Sequence, residues 1–385
     1  MFPTTSPLPH QDDASVFLIS NSAALLHADM GTGKSYIALS AFSQLLDSDS
    51  TLTCVVVTPK SVAPNFMNEV RLHFKSVTTN LYLGSSRRLR PAQITITTYD
   101  LANEIDDLDV LILDEIHIIR NQKTQKFDRI YKLAQKAQVI WGLSGTPIVN
   151  KTTDVNALQA LTDNKVAYLR VHQTIPLPAM SCNTTVCSPS LAELGAISAA
   201  KKSGLSTLPL ITKLRTIYSK LNSKFRYIRK LLSNDPTDNF IVFSNFTQSL
   251  AALDAFLQHK DTQYLTGDTS NKKAVADKFQ ASVGGSLLLA SYTAGGIGIN
   301  LTNAHHIVFL DPAWNQATHG QAVARAHRFG LKHELQIHLL PTPNSVESWM
   351  SSIMTYKKSI MEPDSECIDD VDAVDLSSIL TEVLI

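Results

Sequence analysis

The chain has 385 residues, of which 44 % are hydrophobic and 18 % charged, with 34 lysines and arginines balancing 34 aspartates and glutamates. The length suits two domains, and the composition excludes wholesale disorder. A formal net charge of zero excludes attraction to nucleic acid by overall charge, so such a partner would need a local basic patch. Four cysteines (Cys54, Cys182, Cys187, Cys367) complete no zinc spacing and read as free thiols in a reducing compartment. Residues 1–10 lack a signal-peptide pattern, and no apolar run approaches a membrane span. Both facts predict a soluble, cytoplasmic protein with no membrane partner.

In chain order, residues 9–11 read Pro-His-Gln. The Gln11 amide suits adenine's donor and acceptor edge, and equally suits a surface position in a polar stretch. A short apolar run at 23–26 then leads into Ala28-Asp29-Met30-Gly31-Thr32-Gly33-Lys34-Ser35 and a helix predicted over 36–46. Strand, glycine loop, Lys-Ser and helix is the arrangement that cradles a nucleoside triphosphate. Backbone N–H groups from Met30 through Gly31, Thr32, Gly33 and Lys34 to Ser35 would face phosphate oxygens, backed by the helix dipole. Lys34 would reach the β- and γ-phosphates, and the Ser35 hydroxyl would take one position on Mg²⁺. The strict pattern has Gly where this chain has Ala28, which leaves a plain glycine turn before a helix as the alternative.

The β-branched run ending at Thr58-Pro59 reads as a buried parallel strand. Residues 64–74 read as a helix with Phe66, Val70 and Phe74 on one face. Further strands are predicted at 94–99, 110–113 and 138–143. Polar residues collect at the strands' C-terminal ends, which describes an open parallel α/β sheet that binds its ligand at that edge. Asp114 and Glu115 leave the 110–113 strand together. Phosphoryl transfer to water needs one carboxylate on Mg²⁺ and another group on the water. Asp114 is therefore the expected metal ligand and Glu115 the expected base, against the alternative of two solvated acids opening a loop.

Residues 151–206 carry weak periodicity, and Ile175-Pro176-Leu177-Pro178 marks a turn or linker. Residues 208–232 hold Lys213, Arg215, Lys220, Lys224, Arg226, Arg229 and Lys230 with no acid, on a predicted helix with one buried face. The basic residues form either a solvated face or a contact to a phosphate backbone. The expected organisation is a first lobe at 1–165, a linker and helical segment at 166–235, a second lobe at 236–360 and an acidic tail at 361–385. The second lobe has strands predicted at 239–244, 263–267, 286–291 and 306–311, helices at 247–258, 272–281 and 314–329, and no phosphate loop of its own. Arg325 and Arg328 would share one helix face. Reaching a phosphate bound on the first lobe, they would act as arginine fingers, with Gln321 one turn earlier placing the water or the γ-phosphate. Two exposed helix arginines are the alternative. The glycines of 294–301, Gly298 among them, allow close backbone approach to phosphates of nucleotide or nucleic acid.

These motifs together resemble a known family. GTGKS, DEIH and LSGTP, in this order and spacing, resemble motifs I, II and III of superfamily-two helicases. IVFSNFTQSL, TAGGIGINLTNAHHIVFLDPAWNQA, QAVARAHRFG, ITKLRTIY and DEIHIIRN resemble the Swi/Snf branch of that superfamily, over residues 9 to 345. The resemblance implies two tandem RecA-like lobes with an ATP site in the cleft between them. It implies ATP and Mg²⁺ as cofactors, Gln11 on adenine, and double-stranded DNA lying across both lobes. It also implies nucleic-acid contacts from Thr58, Pro59, Lys60, Thr97, Thr98, Ser244, Thr293, Gly295, Gly296 and Asn300. The activity it implies is ATP-driven translocation on duplex DNA, with strand separation on DNA or RNA and a nucleotide-switched clamp as the rival readings.

The chain departs from the chromatin remodellers in having little room for their insertions or accessory domains, which fits a compact, monomeric translocase of viral or prokaryotic kind. The sequence Leu265-Thr266-Gly267-Asp268-Thr269 departs from the family's usual Asp-Gly order, and DEIH has Ile where Ala is common. Residues 362–375 carry Glu362, Asp364, Glu366, Asp369, Asp370, Asp372 and Asp375 without a basic residue. They form either a solubilising tail or a strip that competes with DNA phosphates.

Overall fold

The structure, a computed structural model, describes residues 6–29, 31–60, 62–84, 87–145, 151–172, 176–295, 299–313 and 316–348. Met30, Thr146, Pro147, Gly296, Gly298 and the acidic tail lie outside the described residues. The chain divides into two compact units, Met1–Pro176 and Leu177–Ile385.

In unit 1 the strands are β1 (Ala23–Ala28), β2 (Cys54–Val57), β3 (Thr79–Leu81), β4 (Ile94–Thr97), β5 (Val110–Asp114), β6 (Val139–Ser144) and β7 (Ala167–Val171). The helices are α1 (Pro9–Ile19), α2 (Lys34–Ser48), α3 (Ala63–His73), α4 (Gln125–Ala134) and α5 (Lys151–Gln159). The strands pair in the order β3-β4-β2-β5-β6-β1-β7, all parallel. Side chains of successive strand residues point to opposite faces, and both faces are covered. Ala24, Leu26 and Val56 join Phe42, Phe66 and Trp141 in one apolar layer. Leu25, Val55 and Val57 join Phe127, Ile130 and Leu158 in the other. This is why the central strands read as continuous apolar runs.

Unit 2 contains β8 (Met180–Thr184), β9 (Phe240–Ser244), β10 (Thr262–Leu265), β11 (Leu287–Ser291), β12 (His306–Phe309) and β13 (Leu335–Leu339). Its helices are α6 (Leu191–Lys201), α7 (Thr207–Tyr218), α8 (Asn222–Asn234), α9 (Thr247–Leu257), α10 (Lys272–Gln280), α11 (Tyr292–Gly295) and α12 (Gln316–Val323). The sheet order is β10-β11-β9-β12-β13-β8, again all parallel. Matching β8 to β1, β9 to β2 and so on through β13 to β6 reproduces the order of unit 1, with β7 as an added edge strand. Two tandem RecA-like α/β sheets are thus present, as the sequence resemblance implied.

Three expectations change. The stretch read as a linker from residue 166 contains β7 and β8, each at the edge of a sheet. Both are partly exposed along their length, so they lack the apolar run that marks a central strand. The single helix read over 208–232 is two, α7 and α8, broken at 219–221, where Ser219 Oγ lies 2.7 Å from Ser249 Oγ. Its basic face is also not uniform. Arg215 and Lys224 are fully buried, and Lys224 Nζ donates to Glu347 Oε2 at 2.7 Å and to Leu310 O at 2.9 Å. These two cannot reach a nucleic-acid phosphate. Finally, the helix expected through residue 329 ends at Val323. The Arg325 carbonyl accepts Leu301 N at 2.8 Å, so the helical bond it would otherwise accept is replaced by one to a neighbouring loop.

Removing one partner of a buried ion pair leaves the other charge uncompensated. Lys224→Met should lower the stability of unit 2 by about 3 kcal/mol, whereas Lys224→Met with Glu347→Leu should recover most of that loss. Urea unfolding followed by circular dichroism checks both; equal losses in the single and double variants would contradict the pairing.

Candidate active site

Strand β1 delivers Ala28 to the C-terminal edge of its sheet, and the chain then turns sharply. Gly31 and Gly33 sit at φ +88° and +85°, a region glycine enters without a Cβ clash. The Asp29 carbonyl closes the turn by accepting Thr32 Oγ1 at 2.7 Å, which leaves the Thr32 side chain buried. Thr32 therefore offers a phosphate its backbone and not its hydroxyl. Gly33 is the N-cap of α2, and no side chain caps that helix. The first turn of any helix has N–H groups with no intrahelical acceptor, and a glycine cap presents them to an anion. Lys34 Nζ donates to Ala28 O at 3.1 Å, which folds the ammonium back over the loop.

Helix α1 braces the loop from outside. Gln11 Oε1 accepts Leu8 N at 3.0 Å, and Gln11 Nε2 donates to Thr32 O at 3.0 Å. His10 Nε2 lies 3.2 Å from the same oxygen. The structure thus places the Gln11 amide on the loop backbone. A Cβ built at Gly33 would come within 2.5 Å of Gln11 Nε2, the far end of a flexible side chain, so it is the positive φ that favours glycine there. His10 had no motif to mark it in the sequence.

Asp114 ends β5, one strand away from β1 across β6, and its side chain is buried. Thr58, at the end of β2, donates Oγ1 to Asp114 Oδ2 at 2.8 Å, and Tyr99 donates its hydroxyl to Asp114 O at 2.7 Å. Burial, and then the adjacent Glu115, push the Asp114 carboxyl up to about 6, against the pull of the Thr58 hydrogen bond and the Lys34 charge. Burial and the same carboxylate push the Tyr99 phenol up. Glu115 holds a left-handed backbone at φ 54° and ψ 54°, sparsely populated for a residue with a Cβ and common where a turn is part of a mechanism. Its Oε2 lies 3.2 Å from His117 Nδ1. Beyond it, Arg120 Nε donates to Asp154 Oδ1 at 2.6 Å, and Ser144 Oγ donates to Asp154 Oδ2 at 3.1 Å. Asp154 is buried and ties the end of the DEIHIIRN stretch to the end of β6. The weak periodicity of its surroundings hid it in the sequence.

The donor set fits a nucleotide with a divalent cation. An uncapped helix N-terminus suits phosphates, and a buried carboxyl held above its ordinary range gains most from a cation beside it. Mg²⁺ takes few protein ligands and completes its shell with water and phosphate oxygens, and a hydroxyl and a carboxylate, as Ser35 and Asp114 carry, are oxygen donors of the kind it takes.

The nucleic-acid residues divide. Thr58, Thr97, Thr98 and Ser244 are buried. Thr58 is committed to Asp114, Thr97 Oγ1 donates to Tyr82 O at 3.2 Å, and Ser244 Oγ donates to Asp311. The hydroxyls of Thr58, Thr97 and Ser244 thus hold strand ends. Pro59 is half-buried and Lys60 exposed, as is Asn300. Thr293 and Gly295 fall in α11. In unit 2, Gln321 lies on α12, while Arg325 and Arg328 follow it in tight turns, so the shared helix face predicted for the two arginines is not present.

Two family models match in tandem. A SNF2-related domain matches residues 10–172, and a helicase conserved C-terminal domain matches residues 223–330. The chain is a Swi/Snf-type, helicase-like protein of superfamily two. Its relatives include the SWI/SNF-related matrix-associated actin-dependent regulator of chromatin subfamily A-like protein 1 of Xenopus tropicalis, 23 % identical over 92 % of this chain and 44 % of that one. The Drosophila melanogaster protein of the same name is 24 % identical over 92 % of this chain and 55 % of its own length. The DNA repair protein RAD5 of Gibberella zeae is 34 % identical over 34 % of this chain and 12 % of that protein. The chain spans about half the length of the two longer matches. A solved structure, the Sulfolobus solfataricus SWI2/SNF2 ATPase core in complex with dsDNA, covers 99 % of this chain and 97 % of its own at 19 % identity and a TM-score of 0.43. Among the described residues, no helix is long and apolar enough to cross a membrane.

The Asp114 environment sets a pH dependence. The folded carboxyl titrates near 6, above the ordinary aspartate value of about 3.9. The folded state therefore binds this proton more tightly than the unfolded state does, and stability falls as pH rises between those values. Asp114→Asn removes the buried charge, so it should raise the melting temperature of the nucleotide-free protein at pH 8, with a gain that shrinks toward pH 5. A gain that does not vary with pH would contradict the burial of an ionised Asp114.

Proposed function

We propose that this chain is a motor that hydrolyses ATP when stimulated by double-stranded DNA and translocates along the duplex as a monomer inside the cell. The observation that carries the hydrolytic part is the gathering, at one edge of the unit 1 sheet, of an uncapped glycine-led helix, Lys34, and the Thr58-held Asp114 with Glu115 beside it. The duplex and the translocation are carried by the Swi/Snf resemblance.

In this reading the N–H groups of residues 30–35 bind the phosphates, Lys34 leaves Ala28 O to meet the β- and γ-phosphates, and Gln11 trades a loop contact for adenine. Ser35 and Asp114 hold Mg²⁺, which, when bound, neutralises charge developing on the phosphate oxygens. Glu115, oriented by His117, accepts the proton of the attacking water. The water oxygen bonds to the γ-phosphorus as the bridge to the β-phosphate breaks, and ADP carries away the bridging electron pair. Unit 2 supplies Arg325 and Arg328 to the phosphoryl group in transfer, with Gln321 placing the water. Lys60, Pro59, Asn300, Thr293, Gly295 and Gly296 contact the DNA backbone.

Glu115→Gln should keep ATP affinity and lose turnover by about 10²-fold or more; near-normal hydrolysis in that variant would refute the assigned base. ATPase rates with duplex DNA, single-stranded DNA and RNA, compared at one stated salt concentration, should be highest with duplex, and a triplex strand should be displaced from that duplex in an ATP-dependent way. Stimulation by RNA or single strands alone, or unwinding of a forked duplex, would move the function to a strand-separating helicase. ATP hydrolysis without triplex displacement would leave a clamp.

A further inference from the structure

The setting of Asp114 occurs twice in this chain. In unit 2 the strands equivalent to β5, β2 and β4 are β12, β9 and β11. Asp311 lies just beyond β12 and is buried. Ser244, ending β9, donates its hydroxyl to Asp311 Oδ2, and Tyr292, just beyond β11, donates to Asp311 O at 2.6 Å. These are the parts Thr58 and Tyr99 play around Asp114.

The surroundings of the second carboxylate differ. Where unit 1 has its glycine loop, after β1, unit 2 has Thr185-Val186-Cys187-Ser188-Pro189-Ser190 after β8. The helix that follows, α6, is capped by the chain itself. Ser190 Oγ accepts Glu193 N, and Glu193 Oε2 accepts Ser190 N at 2.7 Å, so a side chain serves the helix terminus that an anion would serve in unit 1. The cation is also internal. Arg215 of α7 brings Nη2 to 3.6 Å from Asp311 Oδ1 and donates to Pro312 O at 2.5 Å. Lys224 of α8 donates to Leu310 O at 2.9 Å. Asn245 Nδ2 donates to Asp311 Oδ1 at 2.5 Å and to Pro312 O at 2.9 Å. Residues 310, 311 and 312 are each gripped, and α12 starts at Gln316. The Phe309 and His319 rings, with centroids 3.9 Å apart, fasten that helix to the strand before the elbow.

We propose that Arg215 is a positioning residue for ATP hydrolysis: as the internal cation of an inert copy of the Asp114 site, it fixes the 310–312 elbow and thereby the segment that carries Gln321, Arg325 and Arg328. This rests on the reading of the chain as an ATPase. Arg215 Nη2 alone makes both approaches, donating to Pro312 O and standing as a charge 3.6 Å from Asp311 Oδ1, so a lysine ammonium near the same point would keep part of the grip. A methionine at 215 would leave Asp311 buried without its cation, and an asparagine at 311 would relieve that charge without restoring the grip on Pro312.

The test compares the full-length wild type with Arg215→Met, Arg215→Lys, and Arg215→Met combined with Asp311→Asn. Three quantities are read: melting temperature, ATPase kcat and KM with duplex DNA, and hydrogen exchange over residues 28–35 and 316–328. The double variant should melt close to the wild type, yet kcat should stay about tenfold or more below it, with KM within about twofold, because misplacement of a catalytic segment by an ångström is enough for such a loss. Exchange over 316–328 should quicken while exchange over 28–35 stays unchanged, and Arg215→Lys should recover part of kcat. Should kcat return together with the melting temperature in the double variant, or should exchange over 316–328 match the wild type, Arg215 is structural only and the proposal falls. A wild type that hydrolyses no ATP overturns the ATPase reading instead, and the exchange comparison still decides whether Arg215 fixes the segment.

Discussion

A carboxylate at the C-terminal end of a central parallel strand is hard to keep. The strand is covered on both faces, so its last side chain has little water, and an ionised group there needs a donor or a cation. Both sheets of this protein meet that constraint with the same first step: a hydroxyl from the neighbouring strand end bonds the carboxylate, and a tyrosine bonds its carbonyl. They differ in the second. Unit 1 leaves Asp114 with the Lys34 charge acting on it and its carboxyl held near 6, a site that a cation and phosphates complete. Unit 2 sets Arg215 beside Asp311, 3.6 Å away, and burial still raises that carboxyl above its ordinary range. One topology thus yields two buried carboxylates with different neighbours.

The fold accounts for two of the seven basic residues of the 208–232 run. Read along the sequence, Arg215 and Lys224 look like members of a run available to DNA. In the fold they are the buried counter-charges of Asp311 and Glu347, and only Lys213, Arg226, Arg229 and Lys230 of that run are exposed. Arg229 itself lies over the Phe256 ring, 3.8 Å from its centroid. A charge run on a helix therefore marks neither a solvated face nor a nucleic-acid contact until the acids it answers, here more than 90 residues away, are located by the fold.

Legibility in the sequence followed the physics of each signal. Central strands were plain because both their faces are buried, so β2, β5, β9 and β11 read as unbroken apolar runs. Edge strands β7 and β8 were hidden because half their surface is wet. Residues whose chemistry depends on a local pattern were legible: Gly33, Lys34 and Ser35 from loop spacing, Asp114 and Glu115 from their place at a strand end. Residues whose chemistry depends on a distant partner were not. Thr58 and Ser244 read as nucleic-acid contacts, and only the adjacency of β2 to β5 and of β9 to β12 shows that they hold aspartates. Asp154 and His10 carry no motif at all, and Arg215, though it lies within ITKLRTIY, has nothing there to say that it meets Asp311. The turn after Val323 was equally hidden, since it depends on Leu301 taking a carbonyl that helical periodicity assigns to the helix.

The central claim is that the chain has one nucleotide site, open in unit 1 and filled from within in unit 2. Titration calorimetry of the full chain with Mg²⁺ and a non-hydrolysable ATP analogue tests it most directly, with Lys34→Ala measured alongside. The account predicts a single site per chain that Lys34→Ala abolishes. Two sites per chain, or binding that survives Lys34→Ala unchanged, would contradict it.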